Sequence, residues 1–255
     1  MANNYTLGRG ELHFDRFTDP VAMTLGGERY LGNSPEFSAT IESENLDHYN
    51  SDRGVREKDE SIVLQTNRTA SFITDNISPE NLALFFFGTS EIFATTGATV
   101  SDEPLNDVKL GLTYQLGMSP TNPSGLRNLT GVTVSKGVTA LVLNTDYTLD
   151  AELGRITLLA TSATVDDGDD LTVDYTHASA TRERVISGSQ AVGGALRFIS
   201  YNPQGKRYDW YMPYVKLSPN GDFALKGDEW QQIPFTVEIL KKPGYEAIYI
   251  DGRPL

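Results

Sequence analysis

The chain has 255 residues, no cysteine and a formal net charge of −13 at pH 7, from 34 acidic and 21 basic residues. The absence of cysteine excludes disulfides and thiolate metal sites, and the acidic balance argues against a protein that grips nucleic acid through its phosphates. The first residues lack a basic segment and the longest apolar run, Leu82–Phe87, is far too short to cross a bilayer, so neither a signal peptide nor a membrane segment is expected.

Turn residues recur along the chain between short segments rich in Val, Thr and Tyr. This spacing is typical of a β-sandwich or barrel. The first such segment, Glu11–Phe17, ends at the turn Thr18-Asp19-Pro20. The sequence therefore predicts an all-β fold with one short helix.

The clearest predicted strand pair is Glu36–Glu44 with Glu60–Thr74. Apolar and polar side chains alternate along the first segment, as a strand that is buried on one face requires. The alternation is weaker in the second, where Val63 and Ile73 interrupt the polar face. The polar faces of the two strands carry Glu36, Ser38, Thr40, Glu42, Ser61, Gln65, Asn67, Thr69 and Ser71.

Between these strands lies Asn45–Asp59, which we interpret as a long charged connector because it exceeds a tight hairpin turn. Structureless loops of this length in compact domains tend to be functional or mobile. Its charged residues are Asp47, Asp52, Arg53, Arg56, Glu57, Lys58 and Asp59.

The helix is predicted over Pro79–Phe87. Ser78 is a suitable N-cap, Pro79 fits the first helical position, and Gly88 is a natural stop. No other substantial helix is expected.

A second run of short strands, separated by Gly, Asn and Asp turns, occupies residues 121–180. It predicts a small β-sandwich-like module inserted in a core domain of residues 1–120 and 181–255. In the second part of the core domain we predict the strands Phe223–Gln232 and Ile233–Lys241. Asn220-Gly221 suits a two-residue hairpin turn before them.

No pattern predicts an enzyme, a cofactor or a metal site. The histidines His13, His48 and His177 are widely separated, and Gly188-Ser189-Gln190-Ala191 lacks the second glycine of a nucleophile elbow. The acidic segment Asp166–Asp170 lacks EF-hand spacing and favours a surface turn.

Segments spread over most of the chain carry a resemblance to a known family. The most specific run comprises Arg29–Phe37, Ile41–Tyr49 and Arg53–Asp59, and shorter segments follow at Tyr114–Gly117, Asn122–Gly125, Asp146–Leu149 and Gly154–Thr157. Together they resemble the tail tube (major tail) proteins of long, non-contractile-tailed bacteriophages.

The resemblance implies a virion protein, assembled in the host cytoplasm, whose hexameric rings stack into a tail tube. Each subunit would add four strands to an inner barrel, lined here by the polar faces described above. The connector Asn45–Asp59 would reach a neighbouring ring, and the module of residues 121–180 would face outward. Implied partners are copies of the chain and the tape-measure, terminator and distal tail proteins. DNA would pass to the host without specific binding, because basic contacts would hold a polyanion.

Two other hypotheses stay open. A secretion-system tube ring or a capsid decoration protein would also be rich in strands. A carbohydrate-binding or adhesion module could use an aromatic platform, although alternation along one strand favours packing on both faces. The platform residues would be Tyr201, Tyr208, Trp210, Tyr211 and Tyr214.

Overall fold

The computed structural model describes residues 4–52 and 54–253. This part of the chain contains eighteen β-strands and one short helix, which confirms the predicted all-β fold with one short helix. In chain order the elements are β1 (Gly10–Asp19), β2 (Thr24–Leu25), β3 (Arg29–Tyr30), β4 (Glu36–Asn50), β5 (Glu57–Thr74), α1 (Pro79–Phe85), β6 (Thr89–Thr95), β7 (Ala98–Val108), β8 (Thr113–Gln115), β9 (Leu129–Lys136), β10 (Thr139–Ala140), β11 (Tyr147–Asp150), β12 (Arg155–Leu158), β13 (Asp169–His177), β14 (Ala180–Ile186), β15 (Val192–Ser200), β16 (Tyr208–Pro219), β17 (Ile233–Ile239) and β18 (Tyr249–Gly252).

The chain divides into two compact units, and the second spans Ile92–Arg182. This unit begins well before the predicted module boundary at residue 121 and ends two residues after residue 180. The boundary differs because β7 and β8 pair with β13 and β12, and such long-range pairing leaves no local signal in the sequence.

A nine-stranded sheet forms the first unit. Seven strands follow the order β2-β1-β15-β16-β17-β5-β4, while β3 pairs with β1 and β18 pairs with β16. Alternate residues of β17 are buried, as the alternation in its sequence predicts. Phe235 of β17 stacks on Phe72 of β5 with ring centroids 4.8 Å apart, and both rings are buried in the core.

The connection between β16 and β17 differs from the prediction. These strands pair directly, with Pro219 opposite Phe235, and residues 220–232 between them contain no strand. The predicted strand Phe223–Gln232 and the two-residue turn at Asn220-Gly221 are therefore wrong. The apolar residues of this segment divide between the core and the surface instead of alternating across a sheet, and we call residues 220–232 the β16–β17 loop.

Helix α1 begins as predicted, because the Ser78 Oγ accepts a hydrogen bond from the Asn81 backbone N–H at 3.2 Å. It ends at Phe85, two residues before the predicted end. Phe87 has the left-handed φ of 54°, and the Gly88 N–H bonds the Ala83 carbonyl at 2.7 Å. Gly88 is needed for space, since a Cβ there would collide with the Ile186 carbonyl oxygen.

The second unit has a core of its own. A four-stranded sheet of order β10-β9-β13-β7 and a three-stranded sheet of order β11-β12-β8 contribute to one buried cluster. Val134 and Val173 from the first sheet and Ile156 and Leu158 from the second are fully buried there. The strands β6 and β14 form a separate pair.

Candidate assembly surface

The most unusual feature of the first unit is the long hairpin formed by β4 and β5. Its fifteen and eighteen residues pair from Glu36 opposite Ile73 to Asn50 opposite Glu57. The interpretation of Asn45–Asp59 as an unpaired connector is therefore wrong, because most of that segment extends the two strands. Cross-strand hydrogen bonds satisfy the backbone there, and the described residues between Asn50 and Glu57 contain no strand.

The hairpin projects well past its neighbour in the sheet. The strand β17 pairs only with residues 69–74 of β5, so residues 57–68 have β4 as their sole partner strand in the described part of the chain. The other edge of β4 has no partner strand there. From Ala39 to the tip, nearly every residue of both strands is exposed or half-exposed.

Near the core, the two faces of the hairpin differ sharply. Phe37 lies opposite the buried Phe72 and contacts Phe198 with ring centroids 5.5 Å apart. We call this side, with Ala39, Ile41 and Ser43, the core-side face. The opposite side, which we call the outward face, carries Glu36, Ser38, Thr40, Glu42 and Glu44, together with their cross-strand partners Ile73, Ser71, Thr69, Asn67 and Gln65.

Hydrogen bonds between side chains tie the outward face together. The Ser38 and Ser71 hydroxyls lie 3.0 Å apart, and the Gln65 Nε2 donates to the Asn67 Oδ1 at 2.7 Å. No basic side chain of β4 or β5 lies on the outward face between Glu36 and Glu44, because Arg68 is opposite Ile41 on the core-side face. Beyond Ile73 at its base, this part of the hairpin therefore presents carboxylates, hydroxyls and amides.

Two β-bulges change which residues share a face. Glu44 pairs with Gln65 and Asn45 pairs with Val63, so Leu64 is an extra residue; Asp59 is extra in the same way farther out. An extra residue reverses the alternation of its strand relative to the partner. Ser61 is therefore on the core-side face, opposite Asp47, and the prediction that it shares a face with Gln65 and Ser71 is wrong. The same reversal explains why Val63 breaks the polar pattern.

The outward face continues across β17 and β16. Thr69 pairs with Glu238, which pairs with Lys216, and Ser71 pairs with Thr236, which pairs with Ser218. The sequence predictions did not include these residues, although the alternation within Ile233–Ile239 already separates Thr236 and Glu238 from the apolar side. Between Glu36 and Glu44 and across β17 and β16, the face holds four carboxylates, Glu36, Glu42, Glu44 and Glu238, and one ammonium, Lys216, a net charge of −3.

At the tip, charged side chains pair with one another. The Asp47 Oδ1 accepts from the Lys58 Nζ at 2.6 Å and from the Ser61 hydroxyl at 2.7 Å. These bonds, that from Lys58 first, hold the pKa of the Asp47 carboxyl below its usual range. The His48 Nδ1 lies 2.6 Å from the Asp59 Oδ1, and the Arg56 guanidinium lies 5.0 Å from the centre of the Tyr49 ring.

The remaining predicted tip residues are placed separately. Glu57 begins β5 opposite Asn50, and the backbone N–H of Asp52 bonds the Asn50 Oδ1 at 2.9 Å. Arg53 lies outside the described residues. The structure thus brings Asp47, Arg56, Lys58 and Asp59 to one end of the hairpin. The sequence predicted that these residues form one charged segment, but it did not show which side chains pair with each other.

Comparison with known families bears on the chain as a whole. The model of one family, described as "Protein of unknown function UCP028589", matches residues 5–247. The chain belongs to this family. No curated protein matches it. The matched residues include the hairpin and both units of this chain, and the family description names no activity.

Other sequence features of this UCP028589 member have structural roles. In the acidic turn, Asp167 and Asp170 accept hydrogen bonds from the Leu110 and Asp107 backbone N–H groups, and Asp169 pairs with Lys136 at 2.5 Å. No group of three or more His, Asp or Glu side chains within residues 4–52 and 54–253 is arranged to hold a metal ion. No helix in those ranges is long and apolar enough to cross a membrane.

The aromatic residues of β16 do not form one platform. Trp210 packs against the core cluster, whereas the Tyr211 ring lies 4.4 Å from the Arg197 guanidinium carbon. Tyr214 contacts Phe17 with ring centroids 5.6 Å apart. These rings are therefore divided among separate contacts along the strand.

Proposed function

We propose that this chain is the structural subunit of a bacteriophage tail tube. Copies assemble in the host cytoplasm as hexameric rings, the rings stack into the virion tail, and the outward faces of β16, β17, β5 and β4 line a bore that conducts DNA into the host. Resemblance of the Arg29–Asp59 region to tail tube proteins supports this proposal, and the hairpin geometry supports it independently.

The observation that carries the proposal is the hairpin beyond the core, which is exposed on both faces and whose outer edge, on β4, has no partner strand in the described part of the chain. An isolated two-stranded hairpin is marginally stable in water, and a long open edge invites another strand. Ile41 and Val63 are more than half exposed. Covering one such side chain contributes about 1.5–3 kcal/mol, so partners would stabilise this hairpin considerably.

The charge of the outward face fits the passage of DNA. Basic contacts would release counterions and give affinity at every ring, which would retard a moving polyanion. The net charge of −3 between Glu36 and Glu44 and across β17 and β16 gives little such affinity, while the hydroxyls and amides of this stretch keep the wall hydrated. The cations of the strands β4 and β5, Lys58 and Arg68, belong to the core-side face.

Electron microscopy of the purified chain over a range of concentrations tests the proposal. We expect long striated tubes with an open bore and six-fold rings. Isolated rings or closed shells would favour a secretion-system ring or a decoration protein instead. A chain that remains monomeric at every concentration, and that is absent from tails of the phage encoding it, would contradict the proposal.

A further inference from the structure

The β16–β17 loop displays two large apolar side chains to solvent. Trp230 is 94% exposed and Leu225 is 80% exposed. The loop is nevertheless held in place, since Phe223 packs 6.0 Å from Phe85 and the Gln231 Nε2 donates to the Ala224 carbonyl at 2.9 Å. Long loops without secondary structure are usually functional in compact domains, and tryptophan is enriched among the residues that dominate protein interfaces.

The loop is also acidic. Asp222, Asp228 and Glu229 accompany a single cation, Lys226, and all four are exposed. None of them forms an ion pair with another described residue. A surface that fits this loop would combine apolar side chains with positive charge.

The distal part of the hairpin's core-side face has that combination. Ile41, Tyr49 and Val63 are 63%, 41% and 62% exposed. Arg68 lies opposite Ile41, Lys58 lies opposite Tyr49, and Arg56 covers the Tyr49 ring. The carboxylate on this face, Asp47, is already paired with Lys58, so the face has an excess of positive charge.

A single chain does not bring these two surfaces together. The loop adjoins Ile73 and Pro234. Together they line a cleft of about 920 Å³ at the base of the outward face. The loop ends at Ile233, which pairs with Thr74 of β5. Val63 is eleven residues from Thr74 along the same strand, a distance of roughly 35 Å in an extended strand. Val63 also lies on the core-side face. The contact must therefore join two copies head to tail, which generates rings or filaments.

We propose that the β16–β17 loop of one copy docks on the distal core-side face of a second copy's hairpin, with Trp230 and Leu225 against Ile41 and Val63. Asp228 and Glu229 then lie near Arg68, the residue opposite Ile41. This inference rests on the proposed function in that the chain assembles with itself, and it identifies which two surfaces meet.

Truncation of the Trp230 side chain tests whether the loop contributes to the free energy of assembly. Trp230→Ala should raise the protein concentration needed for half-maximal assembly by at least about tenfold, measured by light scattering after size exclusion and by negative stain. Val138→Ala is the matched control, because Val138 is a fully exposed apolar residue of the second unit. Circular dichroism should show both variants folded, since neither side chain is buried.

Disulfide trapping tests the geometry without background, because the chain has no cysteine. A mixture of the Leu225→Cys and Val63→Cys variants should yield a disulfide-linked dimer on mild oxidation. A mixture of Val138→Cys and Val63→Cys should yield much less. Tubes that assemble equally well with Trp230→Ala, or equal trapping in both mixtures, would overturn this inference and leave the proposed function intact. A wild-type chain that never self-associates would contradict both this inference and the proposed function.

Discussion

The Ser61 hydroxyl donates a 2.7 Å hydrogen bond to the Asp47 carboxylate across the hairpin, on the core-side face. Ser61 and Gln65 are four residues apart on one strand, yet they occupy opposite faces because Leu64 is an extra residue between them. The bulge therefore decides which side chains near the tip are directed toward the proposed bore and which are available to a neighbouring copy.

Deleting Leu64 should leave Val63 opposite Asn45 but remove the bulge, and we expect assembly to be abolished because the hairpin loses the bend and twist that the extra residue gives it. The core should be unaffected, because β17 pairs only with residues 69–74. Size exclusion and thermal melting would show a folded monomer. Leu64→Ala keeps the residue count and serves as the control; normal tubes from the deletion variant would show that the bulge does not matter.

Charge reversal on the outward face should affect DNA passage without affecting assembly. With Glu36→Lys and Glu42→Lys, we expect tubes of normal appearance but slow or blocked DNA delivery, because lysines in the bore would bind phosphate. The measurement is infectivity of phage carrying the variant. Glu152→Lys with Glu183→Lys makes the same change in net charge at exposed positions elsewhere. Equal infectivity of the two variants would contradict the proposal that the outward face lines the bore.

Replacing residues 47–61 with Asn-Gly should join Leu46 to Ile62, which already pair, through a two-residue turn. Because the described residues of the removed tip have only the hairpin itself as a partner in the sheet, the variant should melt close to the wild-type temperature. Tube growth should be lost, leaving a species of monomeric mass by size exclusion with light scattering. Persistent tubes would mean that the tip does not join subunits.

Phe72→Ala should destabilise the first unit by about 3–5 kcal/mol, since it removes a fully buried ring that stacks on Phe235. Chemical denaturation of the monomeric chain is the measurement. Leu64→Ala, at a position that is 57% exposed, should change the free energy of unfolding by no more than about 0.5 kcal/mol. Equal effects would place Phe72 outside the core.

We expect the thermal stability of the first unit to depend on pH through Asp209, which lies opposite the strand β18. Bonds from Arg253, and secondarily from the Ser200 backbone, lower the pKa of its carboxyl. Because the folded state lowers this pKa, the stabilisation is complete above the ordinary value near 3.8 and is lost as the pH falls through the folded value. Asp209→Asn should therefore lower the melting temperature at pH 7 and much less at pH 2.

The control for that experiment is Asp251→Asn, which removes an exposed carboxylate from the paired strand β18. It should leave the melting temperature nearly unchanged at both pH values. A melting difference for Asp209→Asn that stays constant between pH 7 and pH 2 would contradict the proposed ion pair.

Local patterns in the sequence are enough to predict the strand type, the start of the helix and most of the outward face. A strand buried on one side requires a period of two, so Ser38 and Thr40 separate from Phe37 and Ala39 without knowledge of the fold. Ser78 and Pro79 likewise mark a helix start through their own chemistry. These features depend on residues within a few positions of one another.

Only the tertiary structure decided the register of the hairpin, the pairing of β16 with β17 and the display of Trp230. The bulge at Leu64 exists because two segments some twenty residues apart pair with unequal spacing, and no period within either strand records that mismatch. The Asn220-Gly221 turn signal was overridden because the packing of Phe223 near Phe85 holds residues 220–232 as a loop. Pairing between distant segments is settled by which contacts the whole chain satisfies together, so it appears only when the chain has folded.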